Sequence, residues 1–258
     1  MFKDTTIFKD WRFYFKLGFG FLFTITLLYG WLSPIINGIP VNDSQKNDAV
    51  NWSWFTQDKG DFSLNYLSFF TIQTNILVAL WFVFGAIFHN REGKADSRWF
   101  GHYMTLGITT FIAITGIIFN TMLLPALHKD IHGFYGWFTN VIQHMVCPVV
   151  TVIYFVFFMK RDQASVLPTK LFWKKYLWRY YAYPLIWAVI MLIRGEFRHK
   201  AGKVWAYQYF FLNIHKSSFG IPGVVWLLIA AVFITLIVVG ISTLFNTFTY
   251  RQVNKNNQ

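Results

Sequence analysis

Charged side chains are scarce in this chain of 258 residues. Only 13% of the residues are Asp, Glu, Lys or Arg, and 55% are hydrophobic, whereas soluble domains carry about 25% charged residues. The shortage leaves six long stretches without any charge, at residues 17–42, 62–90, 99–128, 131–159, 180–193 and 217–250. An ordinary soluble domain is therefore disfavoured, and a membrane protein is predicted.

Cysteine and several familiar motifs are also missing. The single Cys147 excludes a disulfide within the chain and a cysteine-rich metal site. The sequence contains neither a Gly-Lys-Ser/Thr phosphate loop nor a G-x-S-x-G elbow. His128 and His132 have helical spacing, but Asp130 is their only evident third ligand, which makes a weak metal signal. We expect no metal and no other cofactor.

Most of the uncharged stretches supply the ~20 apolar residues that a membrane-spanning helix needs. The stretch at 180–193 is short, but residues 171–193 are long enough to span if Lys174, Lys175 and Arg179 extend their charged ends toward one membrane surface. The sequence therefore predicts an all-α, polytopic membrane protein with six helices in one bundle. The predicted spans are about 17–37, 63–89, 101–125, 137–159, 173–194 and 221–248, within a single membrane domain covering residues 1–258.

The distribution of positive charge predicts the orientation of these spans. An even number of spans puts both termini on one side, and 15 of the 23 Lys and Arg residues lie on that side. Because cytoplasmic loops are enriched in Lys and Arg, both termini are predicted to be cytoplasmic. The formal net charge is +12, but the basic residues follow the membrane borders and form no dense tract. Membrane lipid is therefore the expected partner, and nucleic acid is not.

Polar side chains interrupt the second predicted span, in the segment YLSFFTIQTNILV. Thr71, Thr74 and Asn75 share one helical face because residues three and four apart are neighbours, and Gln73 points elsewhere. One interpretation is hydrogen bonding between helices, which is a frequent role of such residues in membranes. The other is a functional site.

The fourth predicted span carries a second polar stripe, formed by Asn140, His144, Cys147, Pro148 and Thr151. His144 is the only histidine well inside an apolar span, and an ionisable residue at such a position is a functional candidate. A hydrogen-bonded packing histidine is the alternative. Pro148 has no N–H for the carbonyl of His144, so we expect a kink and a free acceptor beside the imidazole.

The two stripes are predicted to meet. At about 1.5 Å per residue, Thr71 and His144 both lie roughly 10 to 12 Å below the outer boundary. Asn120 and Arg194 lie near the outer ends of the third and fifth spans. Polar residues of four spans thus converge in the outer half of the bundle, which favours a pocket there. A hydroxyl within reach of an imidazole is the minimum arrangement of nucleophile and base. Thr71 is the candidate nucleophile, and Cys147 is the rival, although buried thiols are usually inert.

Four segments resemble a known family. SFFTIQTNILVALWF, NVIQHMVCP, YPLIWAVIMLIRG and VWAYQYFFLN are similar to motifs of the androgen-induced family of six-span intramembrane hydrolases and its bacterial relatives. In the animal members a threonine of helix two and a histidine of helix four form the catalytic pair, which cleaves fatty acid esters of hydroxy fatty acids. The resemblance places these residues at Thr71 and His144 and preserves Asn140. The chain departs from the pattern at Tyr154 and Asn213, where relatives have acidic residues.

This resemblance implies a lipid ester hydrolase, and the bacterial relatives imply a bacterial plasma membrane. Thr71 and His144 are the predicted catalytic residues, and Asn75, Asn120, Asn140 and Arg194 are the predicted substrate-binding residues. The substrate is expected to be a fatty-acyl ester that enters from the bilayer. Acyl transfer, transport of a small solute, a channel and a noncatalytic scaffold are the alternatives. The sequence leaves the oligomeric state open.

Overall fold

The computed structural model of the protein describes residues 5–38, 58–128, 131, 133–203 and 206–255. These residues form seven principal helices and no strand, which confirms the predicted all-α fold. The helices are α1 (Trp11–Asn37), α2 (Lys59–Ser68), α3 (Phe70–Ile87), α4 (His102–Leu123), α5 (Gly133–Phe158), α6 (Trp178–Lys200) and α7 (Gly223–Lys255).

Five of these helices are long and apolar enough to cross a membrane, namely α1, α3, α4, α5 and α7. The chain is therefore an integral, multi-pass membrane protein. The predicted span at 173–194 lies within a longer helical stretch, because the turns Thr169–Phe172 and Trp173–Leu177 lead directly into α6, which continues to Lys200. Arginine and tyrosine residues along α6 make it less apolar than the other five helices.

Both ends of the described chain lie at the same end of the bundle. Lys160 Nζ lies 3.4 Å from a carboxylate oxygen of Asp10, and Gln163 donates to Asn254 at 3.3 Å. We call this the terminal end. The side of the membrane that it faces stays a prediction from the charge distribution.

Helix α6 connects the terminal end with the opposite end of the bundle. Just before α6, the hydroxyl of Thr169 hydrogen-bonds that of Thr247 near the end of α7. In its last turn, Arg198 forms a bidentate ion pair with Asp61 of α2. Among the described residues, five helices are thus long and apolar enough to cross a membrane, and α6 joins the two ends of the bundle as a sixth, less apolar helix whose passage through the membrane stays a prediction.

The second predicted span, 63–89, is not one continuous helix. Phe69 adopts extended backbone angles, φ −66° and ψ 131°, so α2 stops at Ser68 and α3 starts at Phe70. Donors from elsewhere satisfy the carbonyls at the break: Trp187 donates to Ser68 O at 2.9 Å, and Gln73 donates to Leu67 O at 3.0 Å. The break creates a helix N-terminus inside the bundle.

Helix α4 occupies the centre of the bundle, and most of its residues are buried. It approaches α5 closely at Gly116, where an added Cβ atom would lie 2.9 Å from the Cβ atom of Pro148. One continuous buried cluster includes a side chain from each of the six long helices, for example Phe23, Val78, Ile112, Phe155, Trp187 and Val238.

A buried ion pair lies near the terminal end. Lys16 of α1 is fully buried, and its Nζ atom lies 2.5 Å from Glu92. The same carboxylate accepts hydrogen bonds from the hydroxyl of Tyr154 at 2.7 Å and from the backbone N–H of Lys160 at 3.1 Å. The shared carboxylate thus joins α1, α5 and the loop between α3 and α4, which stabilises this end of the bundle.

Candidate active site

A cavity of about 700 Å³ lies away from the terminal end, where α3, α4 and α5 meet the loop before α7. Its wall includes Thr71 of α3, His144 and Asn140 of α5, and Tyr209 and Lys216 of the loop. The two residues that the sequence predicts as nucleophile and base therefore face the same space.

Thr71 is the second residue of α3 and is mostly buried. The first N–H groups of a helix have no partner within the helix and point outward from its N-terminus. At this N-terminus the N–H of Thr71 donates to the phenolic oxygen of Tyr209 at 3.4 Å. The hydroxyl of Tyr209 in turn lies 3.5 Å from Thr71 Oγ1 and donates to it. The break at Phe69 thus places the hydroxyl of Thr71 beside backbone N–H groups that have no partner within the helix.

Tyr209 belongs to the loop between α6 and α7, and its ring packs against Phe69 and Trp187. Burial raises the pKa of Tyr209 to about 12. The phenol therefore keeps its proton at neutral pH and remains a hydrogen-bond donor beside Thr71.

His144 is held in one orientation by its neighbours. Its Nδ1 atom lies 3.2 Å from the carbonyl oxygen of Asn140, and its ring stacks on Phe119 with centroids 3.8 Å apart. A carbonyl oxygen only accepts hydrogen bonds, so Nδ1 carries the proton of the neutral ring and Nε2 keeps its lone pair. This tautomer leaves Nε2 able to accept a proton.

The backbone around His144 is a π-helical turn, Ile142–Val146, followed by Pro148. Because proline has no N–H, it cannot bond the carbonyl of Gln143 as in a π-helix or that of His144 as in an α-helix. Asn75 donates to Gln143 O at 3.0 Å, and Asn120 donates to His144 O at 2.9 Å. The predicted free acceptor at His144 is therefore already occupied, by Asn120.

Asn75 and Asn120 do not line the cavity. Asn75 also donates to Thr71 O at 2.8 Å, and Asn120 also donates to Gly116 O at 2.7 Å. Their amides hold α3 and α4 against α5, which indicates a positioning role, and the contact of these two residues with substrate stays a prediction. The hydrogen bonding between helices that the sequence offered as the alternative is thus present at Asn75, and Asn120 makes a bond of the same kind.

The other predicted residues lie in different places. Asn140 lines the cavity, and its amide donates to Gly136 O at 2.8 Å. Arg194 does not line the cavity; it donates to Asn65 Oδ1 at 3.3 Å. Cys147 is fully buried in the core and also lies outside the cavity wall. The geometry favours Thr71 over Cys147 as the nucleophile.

Within the described part of the chain, no direct hydrogen bond joins Thr71 to His144. Catalytic hydrogen bonds are often long or absent before substrate binds, so this separation is compatible with a nucleophile and base that act across a bound ester.

Sequence reasoning missed most of the cavity wall, including Tyr209, Gln143 and Lys216. The only sequence signal near Tyr209 was the segment VWAYQYFFLN. This segment resembles a motif of the family, but the resemblance assigned no role to any of its residues. Gln143 Nε2 donates to the hydroxyl of Tyr66 at 3.5 Å. Lys216 is exposed and is the basic side chain on the wall.

The two departures from the family pattern lie outside the cavity wall. Tyr154 reaches a carboxylate through its bond to Glu92, so an acidic group is present beside that position near the terminal end. Asn213 accepts a hydrogen bond from the N–H of His215 at 3.2 Å, which stabilises the loop before α7.

Among the described residues, no group of three His, Cys, Asp or Glu side chains is arranged to hold a metal ion. Asp130 and His132, which the sequence considered together with His128, lie outside those residues. Comparison of the chain with family models, with curated proteins and with solved structures finds no match.

Proposed function

We propose that the chain is an intramembrane lipid ester hydrolase in which Thr71 is the nucleophile and His144 the general base. The observation that carries this proposal is the shared cavity, where Thr71 lies at a helix N-terminus and His144 has its Nδ1 proton directed to Asn140 O. The family resemblance supports the same pair, and its bacterial members are the basis for proposing a bacterial plasma membrane.

In the first step, Thr71 Oγ1 attacks the carbonyl carbon of the ester while His144 Nε2 accepts the hydroxyl proton. The C–O bond to the alcohol then breaks, and the imidazolium returns the proton to the departing alkoxide. Thr71 is left as an acyl ester. Water attacks this ester with His144 again as base, which releases the carboxylic acid and restores the threonine hydroxyl.

Negative charge develops on the carbonyl oxygen during both steps. The hydroxyl of Tyr209 and the backbone N–H of Thr71, which now bond to Thr71 Oγ1 and to the Tyr209 oxygen respectively, are the donors near Thr71 that we propose turn to the oxyanion. Donors placed before the reaction stabilise such an oxyanion strongly, because they need no reorganisation when the charge forms. The partial positive charge of the α3 N-terminus acts in the same direction.

Labelling with a fluorophosphonate tests the nucleophile directly. Purified wild-type protein is expected to form a covalent adduct that peptide mass spectrometry assigns to Thr71. Thr71→Ala should abolish the adduct. Cys147→Ser and Thr121→Ala should retain it, since Cys147 lies outside the cavity wall and Thr121 bonds only within its own helix.

An adduct at another residue would reassign the nucleophile. If the fluorophosphonate does not react with the wild-type protein and the protein also fails to cleave lipid esters, transport or scaffolding would be favoured. A fatty alcohol acceptor that captures the acyl group in place of water would identify the reaction as acyl transfer.

A further inference from the structure

A second cavity of about 500 Å³ lies between α6 and α7, against α3 and α4. Its wall is formed by aliphatic and aromatic side chains together with Thr71, Thr115 and Thr235, and it contains no charged residue. Ala188, Ala230 and Ala231 leave much of the space empty. An apolar space with so few polar groups fits a hydrocarbon and does not fit an ion or a polar solute.

The second cavity meets the first at the proposed nucleophile. Thr71 and Tyr209 belong to the walls of both cavities, whereas Asn140, His144 and Lys216 belong only to the first. The hydroxyl of Thr71 and the phenol of Tyr209 therefore stand between a cavity that is mostly apolar and a cavity with more polar groups.

The outer side of the second cavity is formed by residues that face the bilayer. Leu185 of α6 is 63% exposed, and Ala231 and Thr235 of α7 are exposed as well. Since α7 is long and apolar enough to cross a membrane and α6 packs beside it, we expect these residues to contact lipid hydrocarbon. A chain that extends from the bilayer can thus reach Thr71 between α6 and α7 without crossing water.

We propose that the second cavity binds the acyl chain of the substrate ester and that the first cavity receives the alcohol portion. This inference rests on the proposed hydrolase function. With the chain in the second cavity, the ester carbonyl lies at Thr71 and Tyr209, and the leaving oxygen lies on the side of His144, which must protonate it. The buried Oε1 atom of Gln208 has no partner among the described residues and is available in the first cavity as an acceptor for an alcohol hydroxyl.

Steric fit is the basis of selectivity in this arrangement. The chain leaves lipid hydrocarbon for an apolar wall of similar polarity, so transfer itself contributes little to binding. A larger side chain on the wall should therefore exclude long chains and leave short ones unaffected.

A photoreactive palmitic acid that carries a diazirine in its chain tests the cavity without relying on catalysis. Cross-links are expected on α6 and α7 around Tyr181 and Ala231. Ala230→Phe should remove them by filling the cavity, and Ala188→Phe is a second filling variant in case the first does not fold. Val232→Phe is the matched control, because Val232 is a lipid-facing residue of α7 outside the cavity wall.

Hydrolysis of palmitoyl and butyryl esters gives the second readout. Ala230→Phe should lower turnover of the palmitoyl ester about 10- to 100-fold, the range expected from overpacking, and should leave the butyryl ester unchanged. Val232→Phe should change neither.

The two experiments separate the acyl site from the hydrolase function. Cross-links that persist in both filling variants, or equal losses for both esters, would overturn the acyl site while the hydrolase stands. Cross-links that disappear as expected, in a protein that cleaves no ester, would retain the chain site and overturn the hydrolase.

Discussion

The side-chain amide nitrogen of Asn120 lies 2.9 Å from the carbonyl oxygen of His144. The bond joins α4 to the π-helical turn of α5 at the carbonyl that Pro148 leaves without its usual partner. Asn75 does the same for the adjacent carbonyl of Gln143. Two asparagines thus fix the backbone that carries the proposed base.

Replacing Asn120 tests this positioning role. Asn120→Ala leaves a buried carbonyl unpaired, which should cost about 1–3 kcal/mol of stability, and should lower kcat while KM changes little. Thr121→Ala is the control, since its hydroxyl bonds only to Ile117 O of the same helix. Thermal unfolding and ester kinetics measure the two effects. A lower stability with an unchanged kcat would limit Asn120 to structural support.

Tyr209→Phe tests the proposed oxyanion donor. The substitution keeps the ring and removes the hydroxyl beside Thr71, so kcat should fall about 10²- to 10³-fold, as for loss of one oxyanion donor. Tyr207→Phe is the matched control because the hydroxyl of Tyr207 donates to Glu196 and its ring does not line the first cavity. Equal rates for the two variants would exclude a role for the Tyr209 hydroxyl in the reaction.

The buried pair of Lys16 and Glu92 is expected to matter for stability. Lys16→Met leaves the carboxylate of Glu92 buried without its cation, which should cost about 3–5 kcal/mol. Adding Glu92→Gln removes the unpaired charge and should recover part of this loss. Unfolding in detergent measures both variants, with exposed Lys9→Met as the control. If Lys16→Met alone were as stable as wild type, the ion pair would contribute nothing to the free energy of unfolding.

Lys216 lines the cavity and Arg194 does not, so the two residues should affect anionic substrates differently. Lys216→Gln should raise KM about 2- to 5-fold for an ester with a free carboxylate, as expected for an exposed ion pair, and not for a neutral ester. Arg194→Gln should show no preference between these substrates. If only Arg194→Gln discriminated against the anionic ester, Arg194 would be the residue that binds the substrate carboxylate, in line with the substrate-binding role predicted from the sequence.

Much of the fold could be predicted because charge and apolar length act over whole helices. The uncharged stretches located the six long helices, and positive charge within α6 reduced the accuracy only at its ends. The break at Phe69 was missed because it depends on donors from Trp187 and Gln73, which hydropathy does not show. Helical spacing and the depth below the outer membrane boundary predicted that Thr71 and His144 lie at the same level of the bundle.

The rest of the site depends on contacts that no periodic pattern encodes. Tyr209 lies in an irregular loop, so its approach to Thr71 has no helical spacing to reveal it. Asn75 and Asn120 looked like substrate ligands because polar residues inside a span suggest a site, whereas the structure uses their amides for backbone carbonyls.

The most direct test of the central proposal compares lipid ester turnover by wild type, Thr71→Ala, His144→Ala and the double variant, after each is shown to be folded. Loss of a general base lowers the rate roughly 10²- to 10⁴-fold, and residues that act as a unit are strongly non-additive. We therefore expect deep losses in both single variants and little further loss in the double variant. Losses that multiply in the double variant, or an active Thr71→Ala beside an inactive Cys147→Ser, would contradict a Thr71–His144 catalytic pair.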